Sequence, residues 1–194
     1  MTGESKRQIE HILPLGFAFL LRYLTLTQAV LLCFAALAYG LFVSPRINRS
    51  GMRREEAARG FSMGKICYAL VVLALILIFR NRIHIAAGAW AVLSLGDSLS
   101  NLAGRAWGKK KLPWSGDKTW IGSVAFVLAS WAGSLVLVYW TAGGLGTALP
   151  AAWLVVTGCV LAALAGAVVE SLPVPVDDNI TSPLAAAGVM AVFF

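Results

Sequence analysis

The sequence predicts an all-α, polytopic integral membrane protein, and three observations carry that expectation. Hydrophobic residues make up 59% of the 194, charged residues only 13%, and the mean hydropathy is +0.78, well beyond the composition of soluble domains. Apolar runs of nearly twenty residues recur, and a helix needs about 20 residues at 1.5 Å each to cross a hydrocarbon core of roughly 30 Å. Basic residues are confined almost entirely to alternate polar segments between those runs.

Taken in order, the first run, 9–21, lacks the small-residue cleavage site of a signal peptide and is expected to stay as a helix. The second, 25–43, is of spanning length. The third, 61–79, reaches that length if Lys65 snorkels toward the headgroups. The fourth, 83–95, is short and stops before Gly96 and Asp97. The fifth and sixth, 121–140 and 148–169, are long and uncharged. The seventh, 182–194, has 13 residues, so either its helix ends inside the bilayer or the chain is truncated. This gives about seven spans in a single transmembrane domain over 1–194, with polar segments at 44–65, 96–120 and 170–181. Within the first of these, 54–59 (REEAAR) reads as a short surface helix.

Charge sets the orientation. Lys6 and Arg7, then Arg46, Arg49, Arg53, Arg54, Arg59 and Lys65, then Arg105, Lys109, Lys110, Lys111 and Lys118 fall on one side of this topology. Only Arg22, Arg80 and Arg82 fall on the other. The positive-inside rule places the N-terminus and all three polar segments in the cytoplasm, the protein being in the cell inner membrane if its source is bacterial. The net charge of +7 therefore reflects topology and contact with anionic membrane lipids. It does not signal nucleic acid, since no aromatic-interleaved basic patch on a soluble domain accompanies it. Cys33, Cys67 and Cys159 show no CxxC or Cys/His spacing and read as small apolar packing residues. Gly158, Ala162 and Gly166 form a small-xxx-small stripe for close helix packing.

The chemistry concentrates in residues 96–123, GDSLSNLAGRAWGKKKLPWSGDKTWIGS. Ionisable groups inside a membrane protein are costly and generally have a use. An acid able to hold a cation, glycines that let backbone approach a ligand, and clustered ammonium groups are the parts of a nucleotide-phosphate site. Asp97 is a candidate Mg²⁺ ligand; its plain alternative is a helix-terminal aspartate. Asp177 and Asp178 are either a solvated loop pair or carboxylates that share a cation. Lys109, Lys110 and Lys111 either enforce topology or meet phosphates. Gly104 and Gly108 are expected to form tight turns exposing amides, and the hydroxyls of Thr119 and Ser123 either join the site or bond their own helix. His84 falls on the outer face and takes no part.

In register, Gly96, Asp97, Ser100, Gly104, Arg105, Gly108, Lys109, Lys111, Pro113, Lys118, Thr119, Trp120, Gly122 and Ser123 match a pattern of the polyprenol kinases, the CTP-using phytol and dolichol kinases. Glu170, Ser171, Leu172, Pro173, Asp177, Asp178, Asn179, Thr181, Pro183 and Leu184 match their C-terminal E-S-L-P…D-D-N-x-[ST]-x-P-L. The chain therefore resembles that family. Arg7 with His11, and Glu56 with Arg59 and Gly60, resemble further elements more loosely. The resemblance implies a membrane kinase that phosphorylates an isoprenoid alcohol with CTP and Mg²⁺. It implies Asp97, Asp177 and Asp178 as catalytic residues, with Asp97 and Asp178 on the metal. It further implies Gly104, Arg105, Gly108, Lys109, Lys111, Lys118, Thr119 and Asn179 around the nucleotide. Asn101 departs from the family, where many members carry a second acid. Ile121 stands where the related phosphatidate cytidylyltransferases have Glu, and their C-terminal signature is absent here. A cytidylyltransferase acting on a lipid phosphate and a small transporter are the alternatives. The identity of the alcohol, and whether the protein forms a homodimer, stay open.

Overall fold

The computed structural model describes residues 3–47, 60–173 and 176–194, with side chains of the first helix from Gln8 onward, and every regular element among them is helical. Arg49, Arg53, Arg54, Glu56, Arg59 and the expected surface helix at 54–59 lie outside the described residues, as do the side chains of Lys6 and Arg7.

Helix α1 (Gly3–Ile12) stops just before Leu13-Pro14, and a four-residue helix α2 (Leu15–Ala18) and a 3-10 turn (Phe19–Arg22) follow. Proline has no N–H and disfavours helical backbone in the residue before it, so the apolar run 9–21 is not one helix. Helix α3 (Leu26–Ile47) opens at a capping box. Thr25 Oγ1 accepts from the Gln28 N–H at 3.3 Å while Gln28 Oε1 accepts from the Thr25 N–H at 2.9 Å, which satisfies two otherwise orphaned donors. Helix α4 (Met63–Ile78) is shorter and equally apolar.

Helix α5 (Ile83–Ala91) does not end at the polar boundary near Leu95. It runs through a π-helical turn (Val92–Gly96) directly into α6 (Asp97–Trp107). Half of the expected polar loop 96–120 is therefore helix, and Asp97 is neither a cap nor a loop residue. A Cβ on Gly96 would lie 2.3 Å from Ser130 Oγ, so only glycine lets this turn press against α7 (Trp120–Leu145). Thr119 caps the start of α7, and Gly146 ends it at φ 64°, the left-handed stop that glycine adopts without strain. Helices α8 (Ala152–Ser171) and α9 (Asp178–Phe193) complete the chain.

Among the described residues three helices, α3, α7 and α8, are long and apolar enough to cross a membrane, in keeping with an all-α protein of membrane type. Of the roughly seven spans of unequal length expected, these three have spanning length, α4 is shorter, and Pro14, the α5–α6 continuity and the 16-residue length of α9 shape the rest. Helix α7 packs on α5, α6 and α8, and α9 lies on α8, α4 and α5. The small-residue stripe serves that packing. A Cβ on Gly158 would sit 2.7 Å from the Phe194 ring, and Gly166 faces Val92 and Phe126. The three cysteines are free and buried. His84 is buried, with its ring stacked 6.0 Å from Phe194, and does not line the cavity described below.

Candidate active site

One cavity of about 1070 Å³ opens among α1–α4, the α5–α6 helix, the 108–119 loop and the start of α9. Its lining divides by chemistry. Asp97, Asn101, Arg105, Asp117, Lys118, Asp177, Asp178 and Asn179 form a polar mouth, while Phe17, Leu21, Ala29, Cys33, Val72, Ile76 and Trp90 form an apolar arm.

The mouth is assembled from three distant stretches. Asp97 lies one turn before Asn101, whose side-chain amide donates to both the Asp97 carboxylate and its backbone carbonyl at 2.9 Å. The residue that departs from the family pattern thus fixes the aspartate rather than adding a charge. His11 Nε2 approaches Asp97 Oδ2 at 3.6 Å, and its ring meets Tyr68 edge-on at 4.7 Å. Tyr68 accepts from Trp90 Nε1–H at 2.7 Å, and Ser94 Oγ–H donates to the His11 carbonyl at 3.0 Å, so α1 is held against α4 and α5. The Lys65 ammonium pairs with Glu10 at 2.7 Å and donates to Ser44 at 2.5 Å, so its charge is met within the protein.

The 108–119 loop folds back on itself through Leu112 N–H to the Lys118 carbonyl, 2.9 Å, and Trp120 N–H to the Lys110 carbonyl, 3.2 Å. Buried Leu112 anchors it, and Trp114 Nε1–H reaches Ser171 Oγ at 3.0 Å. That architecture aims Lys118 inward. Its ammonium pairs with buried Glu170 and, at 3.3 Å, with Asp178. Burial pushes the Lys118 pKa down, but the charge and hydrogen bond of Glu170, with Asp178 and Asp97 beyond, outweigh it and hold the group above the usual lysine value. Lys118 is a charged cation paired with Glu170 and Asp178, with Asp97 close enough to favour its charge.

One carboxylate oxygen of each of Asp97, Glu170 and Asp178 lies within 4.8 Å of the others. Oxygen-only donors at this spacing suit a hard divalent cation. Glu170 Oε2 is buried and has no hydrogen-bond partner among the described residues, an acceptor with spare capacity, so the residues present fit such an ion. Glu170 was not among the candidates drawn from the sequence. Its signals were its place at the head of the matched E-S-L-P pattern and its being a single acid that ends an otherwise uncharged apolar run.

The other candidates divide. Asp177 lines the cavity but also caps α9, accepting from the Asn179 N–H at 3.0 Å. Thr119 lines the mouth with its oxygen accepting from the Gly122 N–H at 3.1 Å, the helix-capping alternative. Gly104 is helical, not a turn, and faces Thr119. Gly108 ends α6, where a Cβ would fall 2.2 Å from the Gly104 carbonyl and 2.5 Å from Thr119 Oγ1; it permits contact between strand-like loop and helix. Arg105 is exposed at the cavity edge. Lys109 and Lys111 are exposed outside the lining, Lys111 donating to the Gly116 carbonyl at 2.5 Å.

No protein-family model and no solved structure matches the chain. Curated relatives do. The chain is 33% identical over 174 residues to a probable phytol kinase 1, chloroplastic, of Oryza sativa, covering 84% of this chain and 53% of that protein. It is 30% identical over 150 residues to phytol kinase 1, chloroplastic, of Arabidopsis thaliana, covering 75% and 49%. It is 29% identical over 143 residues to the farnesol kinase, chloroplastic, of the same plant, covering 73% and 44%. The chain spans about half the length of the curated relatives it matches.

Proposed function

From the premise that the chain belongs to the polyprenol kinase family, we propose that it transfers the γ-phosphoryl group of CTP to the hydroxyl of an isoprenoid alcohol, with Mg²⁺ as cofactor. The observation that carries this reading is a charged mouth continuous with an apolar arm, which suits a polar donor and a lipid acceptor in one cavity. The relatives' names, phytol kinase and farnesol kinase, supply the reaction type and acceptor class.

Asp97, Glu170 and Asp178 would hold the cation, which when bound offsets phosphate charge and polarises the transferred group. Lys118 adds a fixed positive charge at the mouth, and Arg105 offers a fork suited to phosphate oxygens at its edge. Phosphoryl transfer requires mostly positioning and electrostatic stabilisation. The alcohol oxygen bonds to the γ-phosphorus as the bridging bond to the β-phosphate breaks. The hydroxyl proton passes to a carboxylate of the mouth, and CDP leaves. Asp177 and Asn179 border the same space from the start of α9. The basic asymmetry supports a multi-pass orientation in which this mouth faces the cytoplasm, within reach of soluble nucleotide.

The test is incubation of purified protein in detergent with CTP labelled at the α- or γ-phosphate and a panel of prenyl alcohols and lipid phosphates. Transfer of γ-label to an alcohol is the expected result. Transfer of α-label to a lipid phosphate would replace the kinase reading with a cytidylyltransferase, and no transfer would sink both.

A further inference from the structure

The lining of the apolar arm reaches equally far along α3 and α4. A Cβ on Gly40 would touch Lys65 Cβ at 3.8 Å, which sets α3 and α4 level with each other at the mouth. Ala29 lies 11 residues from Gly40 along α3, and Ile76 lies 11 residues from Lys65 along α4. Both line the cavity and both are buried; no described residue further along α4 lines it, and on the α3 side the lining passes Ala29 only into Leu24, in the turn before the helix. At 1.5 Å per residue the arm is roughly 16 Å deep.

We propose that Ala29 and Ile76 form an end-stop that measures the acceptor's prenyl chain. This rests on the isoprenoid-alcohol reading of the same cavity. An extended chain of single bonds advances about 1.2 Å per bond, so the arm takes on the order of 13 chain carbons, three to four isoprene units. The arm walls over that length are mainly apolar, with Cys33 and Val72 between the mouth and the stop. Each enclosed unit removes apolar surface from solvent and tightens binding. A longer chain gains nothing further, because the stop turns its tail out of the enclosed space.

The test is equilibrium binding of radiolabelled prenyl alcohols of two, three, four, six and eight isoprene units to the purified full chain, with γ-phosphate transfer from CTP measured on the same preparations. In the unaltered protein, affinity should climb roughly tenfold or more per unit and level off at three to four. Ala29→Phe should move the plateau at least one unit shorter, and Ile76→Ala at least one unit longer. Opposite shifts are the signature of a stop, since general partition into an apolar protein or micelle would change all lengths alike. Binding that keeps rising with length in all three proteins, or plateaus that coincide, would overturn the proposal. Length-dependent binding that shifts as expected without phosphoryl transfer would uphold the end-stop and refute the kinase. Ala29→Leu, a smaller intrusion with a smaller expected shift, guards against a Phe variant that fails to fold.

Discussion

Replacing Lys118 with Met tests the centre of the site, because it removes the one cation described between Glu170 and Asp178 while keeping an unbranched side chain. The Glu170 side chain is 1% exposed and that of Lys118 22%, so the pair is buried on the acid's side. Removing one partner of a buried pair typically costs about 3–5 kcal/mol, because the remaining charge is left uncompensated. The lower figure applies here, since Lys118 keeps some solvent and Asp178, at 42% exposed, is hydrated already. For a chain of this size each kcal/mol moves the melting temperature by about 2–4 °C, so Lys118→Met should melt roughly 6–12 °C below the unaltered protein. Adding Glu170→Gln removes the stranded charge and should recover most of that loss, without restoring phosphoryl transfer. The assay is thermal melting of the detergent-solubilised protein at neutral pH in the absence of divalent ions. A single variant melting within about 2 °C of the parent, or a double variant no better than the single, would refute the buried-pair reasoning. The pH dependence has a fixed sign. The Lys118 pKa is raised by folding, so its contribution is complete below the ordinary lysine value of 10.5 and is lost as pH climbs through the higher folded value. The parent's melting temperature should therefore fall at alkaline pH more steeply than that of Lys118→Met.

Asp97→Asn and Asp178→Asn should each cut Mg²⁺-dependent turnover by about a hundredfold or more, several kcal/mol of transition-state stabilisation at 1.36 kcal/mol per decade. The double variant should lose little beyond the worse single one, as measured by single-turnover kinetics, because groups acting on one ion are not additive. Mg²⁺ should raise the melting temperature of the parent, by about 2.7 kcal/mol of stabilisation at a hundredfold excess over Kd. Glu170→Gln should abolish most of that rise in the same titration. Arg105→Ala should weaken nucleotide use and Arg105→Lys should not fully rescue it. Lys109→Ala and Lys111→Ala should leave the KM for CTP nearly unchanged, since neither lines the cavity. Cysteines introduced at Lys110 and Asp177 should react with an impermeant maleimide from the same, cytoplasmic side; labelling from opposite sides would rule out a mouth built from both loops.

Much of the site could be read from the sequence because its chemistry is expensive to keep in a membrane protein. Asp97, Lys118 and Asp178 stand out against a chain that is 59% hydrophobic, and their spacing carried the family resemblance. Composition together with apolar runs of spanning length pointed to the helical, membrane-type class, because such a run has to satisfy its backbone internally. Helix boundaries were less legible. Apolar length marks where lipid could be, whereas hydrogen bonding decides where a helix stops, so α5 continues past Leu95 while Pro14 splits a run that is apolar enough to look whole. Glu170 escaped notice as a site residue because one acid at the end of an apolar run reads as a span boundary until its partner is known. That partner, Lys118, is brought to it by a loop whose fold depends on Leu112, Trp114 and the room left at Gly108. The same loop leaves Lys109 and Lys111 outside, although sequence places them in one cluster with Lys118. The sequence thus determined which chemical groups the protein has and that they are set among helices apolar enough to cross a membrane. Which carboxylates lie together, which lysine faces them, and how deep the apolar arm runs were decided only by tertiary packing, because each depends on contacts between separate helices, those of Lys118 and Trp114 spanning more than 50 positions.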